Sequence, residues 1–91
     1  MSRHAKQLAS LLSGASDQTI RFDALCTLLR RLGFADRRSS GSHRIFFRTG
    51  VPEILSIQPR PDGTAKPYQV KQIREIILLY DLVIPAATEG E

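Results

Sequence analysis

Ninety-one residues, 42 % of them hydrophobic, suit one domain with a modest core and leave no room for two, since independent cores need on the order of 50 residues each. A single cysteine, Cys26, excludes an internal disulfide, one cysteine with two histidines does not make a zinc-ligand set, and the interrupted apolar positions of "MSRHAKQLASLLSGAS" admit neither a signal-peptide core nor a membrane span. The net charge of +4 is concentrated: Arg30, Arg31, Arg37, Arg38, Arg44 and Arg48 are set against one acid, Asp36, which is an electrostatic footprint for a polyanion or, alternatively, a solvated charged face.

From the N-terminus, the spacing of Leu8, Leu11 and Leu12 predicts a short helix over 3–13, closed by Gly14. His4 lies in it with no motif around it. The turn-rich "SGASDQT" leads to a second helix over 22–32, in which Phe22, Leu25, Cys26, Leu29 and Leu32 form one buried stripe. Cys26 therefore reads as a small core hydrophobe. Arg30 and Arg31 complement the dipole of the last turn, and Gly33 is the expected C-terminal glycine.

Beyond Phe34 the helical period is lost, and three extended segments follow at 35–40, 43–48 and 54–58. Alternation along the middle segment puts His43, Ile45 and Phe47 on one face and Arg44, Phe46 and Arg48 on the other. Ile45 and Phe47 are expected to face the helices, with His43 at the rim of the core. Thr49-Gly50 predicts a turn, and Leu55 and Ile57 continue the buried face. "QPRPDGTAKP" reads as a loop long enough to serve a partner; a last helix over 67–82 places Val70, Ile73, Ile77 and Tyr80 inward and Lys71, Arg74 and Glu75 outward, followed by a polar tail.

The expected class is thus α+β, a three-stranded antiparallel sheet with helices on one face. Its uncovered face is expected to carry Arg44, Phe46 and Arg48, arginines interleaved with an aromatic, as backbone binding and base stacking require. A partner protein could occupy the same patch.

The segments "LLRRLGF", "GSHRIFF" and "KPYQVKQIREII", in this order and spacing, resemble the HicA family of toxins from bacterial toxin–antitoxin systems. The resemblance spans residues 21–82, leaving 1–20 as an additional N-terminal helix and linker and 83–91 as a polar tail. It implies a double-stranded-RNA-binding-domain-like α-β-β-β-α fold. It further implies a cytoplasmic, metal-independent and cofactor-free ribonuclease that cleaves single-stranded messenger RNA, and a HicB-type antitoxin that masks the active site. The family's catalytic histidine falls on His43 and its motif glycine on Gly41. Many short members carry a second histidine-containing stretch after the third strand; the corresponding "SIQPRPDGTAKPYQV" has none.

Metal-free RNA cleavage needs a base for the 2′-hydroxyl proton, an acid for the leaving 5′-oxygen and cations for the phosphoryl charge. Histidine suits either proton role, and one histidine fills one of them. On its own His43 reads first as a structural or rim residue; within the motif it reads as the catalyst. The expected RNA contacts are Arg37, Arg38, Gly41, Ser42, Arg44, Phe46 and Arg48, with Lys66 and Tyr68 as candidates near the reaction. A non-catalytic RNA-binding module of the same fold explains the arginines equally well, and a domain docking an acidic protein is a third reading.

Overall fold

The computed structural model describes residues 3–85 and shows an α+β domain: α1 (Arg3–Ser13), α2 (Phe22–Arg31), β1 (Ala35–Arg38), β2 (Arg44–Arg48), β3 (Val51–Ile57) and α3 (Pro67–Leu79). The strands form one antiparallel sheet in the order β1-β2-β3, so both outer strands are edges. No helix among the described residues is long and apolar enough to cross a membrane.

Each predicted element is present. The stripe Phe22, Leu25, Cys26, Leu29 and Leu32 is buried as expected, and α2 ends where the chain can reverse. Phe34 N–H donates to Leu29 O and Gly33 N–H to Arg30 O, a Schellman closure that needs the left-handed φ of 97° at Gly33 and brings Phe34 back into the core. β3 starts at Val51, three residues earlier than expected, because Pro52 sits on an edge strand whose missing N–H costs no ladder bond there. The pairing shifts register between Phe46 and Arg48, where two steps along β2 are matched by four along β3, from Leu55 to Val51, so the bulge lies in β3.

The facing of β2 is the reverse of the sequence expectation. Phe46 is fully buried, opposite Leu55 of β3, whereas Phe47 is 43 % exposed. The helices therefore cover Arg44, Phe46 and Arg48, and His43, Ile45 and Phe47 share the open face. Hydrophobicity favoured the Ile-Phe pair as the inner set, but the two arginines of the other set lie at the strand ends and carry their charge to polar partners while their stems cover the core. Arg44 Nη1 donates to Asp36 Oδ2 at 3.1 Å, and Arg48 Nε donates to Leu32 O at 2.9 Å. Asp36 also accepts from Arg30 Nε and Nη2 at 3.1 and 3.2 Å, and the Arg30 guanidinium lies 6.0 Å from the centre of the Phe46 ring.

The 58–67 segment is not a free excursion. Asp62 accepts from Thr64 N–H and Oγ1, Arg60 reaches Gln18 O at 2.6 Å, and Phe22 N–H and Ala65 N–H bond to Gly63 O and Ile20 O. These bonds stitch the loop to the α1–α2 connection. Arg74, expected on the solvent side of α3, instead holds Asp17 through two bonds and Leu11 O through a third. The core runs on to Leu82 and Ile84, and residues 86–91 of the expected polar tail lie outside the described residues.

Two stability predictions follow from this packing. Phe46→Ala is expected to cost about 3–5 kcal/mol, and Phe47→Ala about 1 kcal/mol or less, read from urea unfolding. The Arg30 and Arg44 bonds hold the Asp36 carboxyl below its usual range, so its contribution is present above the unfolded value near 4 and is lost as pH falls through the lower folded value. Asp36→Asn is expected to lower stability by about 1 kcal/mol at pH 7, with the difference from the parent closing in acid.

Candidate active site

His43 stands at the mouth of the β1–β2 hairpin. Its carbonyl accepts from Ser39 N–H at 3.1 Å and its N–H donates to Ser40 O at 3.0 Å, so the backbone on both sides of the ring is held. Between them Ser40, Gly41 and Ser42 form an exposed tip. Gly41 has φ 56° with no atom close to where a Cβ would sit, so the glycine serves the left-handed turn and not a close approach. The imidazole is half-buried and makes no hydrogen bond with a described residue, which leaves both nitrogens for a ligand.

Strand pairing sets its neighbours. Arg37 lies directly opposite Ile45, and hence diagonal to both His43 and Phe47, at the roughly 7–8 Å typical of diagonal positions on one face. Ser56 flanks Ile45 on the other side, Ala35 is opposite Phe47, and Ile54 of β3 is 64 % exposed. The open face thus carries Ala35, Arg37, His43, Ile45, Phe47, Ile54 and Ser56, with no acid among them. The Arg37 and Arg38 side chains form no ion pair among the described residues.

The expected RNA contacts divide accordingly. Arg37, Gly41 and Ser42 lie beside His43, and Arg38 is exposed on the edge strand opposite Arg44. Phe46 is withdrawn from the list because a fully enclosed ring cannot stack on a base. Arg44 and Arg48 point under the sheet, the first to Asp36 and the second to the end of α2. Lys66 and Tyr68 begin α3, and the buried Gln69 fastens that end to the β3 edge: its amide NH₂ donates to Ser56 O and Tyr68 Oη, while its carbonyl accepts from Gln58 N–H. Since Ile57 pairs with Arg44, this is the end of the sheet at which His43 stands. Phe47 and Gln69 are additions to the residues expected from sequence: alternation by itself leaves Phe47 on the covered side, and a lone glutamine on a helix carries no sequence signal.

The remaining reactive groups lie elsewhere. Burial pushes the Cys26 thiol up to about 11, so it is an inert core residue as its spacing implied. His4 is buried in α1, which packs on α2 and α3, so the helical layer and the sheet separate it from His43.

The family model described as "HicA toxin of bacterial toxin-antitoxin" matches residues 22–79, well over half of the 91-residue chain. No curated protein and no solved structure matches significantly. The match begins with α2 and ends with α3, enclosing the three strands and the Gly41-Ser42-His43 sequence that leads into the middle one, and the chain belongs to the HicA family of bacterial toxin–antitoxin toxins.

Proposed function

We propose that this toxin is a cytoplasmic, metal-independent endoribonuclease that cleaves single-stranded messenger RNA with His43 as general acid or base, and that a HicB-type antitoxin restrains it. The observation that carries this reading is the unpartnered, half-buried imidazole of His43, held by its backbone at the hairpin mouth on an acid-free face beside Arg37. In the reaction the 2′-oxygen attacks the adjacent phosphorus and loses its proton. The bond to the 5′-oxygen breaks, that oxygen gains a proton, and a 2′,3′-cyclic phosphate and a 5′-hydroxyl end result. His43 performs one of the two proton transfers. Arg37 is within side-chain reach of the phosphate, where a guanidinium forms charge-assisted bonds to two oxygens at once. Ser42 and the Gly41 backbone offer further donors to the phosphate, and Lys66 or Tyr68, at the same end of the sheet, is the candidate for the second proton transfer. The working unit is residues 21–82, with 1–20 as an added helix and linker; beyond it Ile84 still packs in the core.

One histidine on the face also fits a module that binds RNA without cutting it. Incubation of the purified protein and His43→Ala with a long single-stranded RNA in EDTA, followed by mapping of fragment ends, decides between them. The parent is expected to leave cyclic phosphate and 5′-hydroxyl ends, and His43→Ala to cut about 10²- to 10⁴-fold more slowly with RNA affinity little changed. If neither protein cuts while both bind, the binding-module reading replaces the catalytic one.

A further inference from the structure

We infer that the open face of the sheet is a base-stacking surface for single-stranded RNA, with Phe47 as the platform and Arg37 as the phosphate anchor between it and His43. The inference rests on the ribonuclease reading for the identity of the ligand, but the surface itself comes from the register of the strands. Phe47 is 43 % exposed, and its cross-strand neighbour Ala35 has too small a side chain to cover the ring. Ile45 and Ile54 flank it, so the ring lies in a contiguous apolar patch of a kind that soluble domains keep for contacts.

Charge decides what the patch receives. Among the described residues the open face has no acid; Arg37 brings a cation onto it and Arg38 is exposed at the same β1 edge on the other side of the strand, and no described residue pairs with either. A polyanion bearing flat apolar groups satisfies both features at once: phosphates meet the arginines and a base meets the ring. The face of a base is free only when the strand is unpaired, so the surface selects single strands over duplex RNA.

The spacing places the contact in the substrate. His43, just ahead of β2, and Phe47 are four steps apart in the extended chain, about 13 Å. The stacked base therefore belongs to a nucleotide beyond the two joined by the cleaved bond. Phe47 then acts in holding the strand, so its loss should raise KM with little change in kcat, whereas loss of His43 lowers kcat.

The test separates stacking from charge and needs no cleavage. Binding of two 2′-O-methyl oligonucleotides of equal length, one of adenosines and one abasic throughout, is measured at low salt for the parent, Phe47→Ala and Phe47→Trp. Since both probes lack the nucleophilic hydroxyl and carry equal charge, a preference for the first reports contact with the bases, and its dependence on Phe47 assigns that contact to stacking. The parent is expected to prefer the adenosine strand by about 5- to 100-fold. Phe47→Ala should bind both at the abasic level, and Phe47→Trp should restore the preference; circular dichroism confirms that each variant is folded. Equal binding of the two probes by the parent, an undiminished preference in Phe47→Ala, or no binding of either probe overturns the proposal. The last of these would assign the patch to a protein partner. The ribonuclease reading fails by a different outcome, absence of cleavage of long RNA by the parent, so the two can be told apart.

Discussion

The direction in which Phe46 points organises the molecule. With its ring enclosed opposite Leu55, the pleat of β2 sends His43, Ile45 and Phe47 to the other side, and pairing with β1 adds Arg37 to the same surface. Had the strand been registered one residue away, His43, Ile45 and Phe47 would lie beneath the helices, and Arg44, Phe46 and Arg48 would face outward. The enclosure of one aromatic ring thus places the candidate catalytic side chain where a large ligand can reach it.

Holding β2 in that orientation takes polar work as well as burial. Two of its five residues are arginines on the covered side, and each is tied down: Arg44 to the Asp36 carboxylate shared with Arg30, and Arg48 to the carbonyl of Leu32 at the end of α2. Gly33 permits the second contact, since a Cβ there would come within 3.0 Å of Arg48 Nε. These bonds join α2 to β1 and β2, the two strands whose pairing builds the open face. The added α1 contributes from the opposite side: Leu11 enters the core, and Arg74 holds the Leu11 carbonyl and Asp17. It completes the helical layer and leaves the sheet face uncovered.

Element order and the buried stripes were legible in the sequence because helical periodicity and turn chemistry are local signals; Phe22, Leu25, Cys26 and Leu29 in α2 and Val70, Ile73 and Ile77 in α3 lie where their spacing put them. The motif marks His43 and Gly41 as site candidates. Facing was not legible, because alternation divides a strand into two sets without saying which is inside, and in β2 each set holds one phenylalanine. The decision lies in the partner strand, where Val51, Leu55 and Ile57 form the buried set and Phe46 pairs with the middle one of them. The ties made by Gln69, Arg60 and Arg74 span from 11 to 63 residues of chain and leave no local trace.

The arginine cluster shows why composition overstates a binding surface. Between residues 30 and 48 six arginines meet one acid, yet Arg30, Arg44 and Arg48 are spent on Asp36, the Phe46 ring and a helix end. Their charge still adds to the field that draws a polyanion toward this side of the molecule, an effect that fades with salt on the scale of the Debye length. Their donors, however, are already committed to the fold. What remains for contact on β1 is a smaller set: Arg37, aligned with an exposed aromatic and a histidine on the open face, and Arg38, exposed at the same edge on the opposite side of the strand. Attraction comes from the whole cluster, while the geometry of recognition comes from the few members the fold does not use.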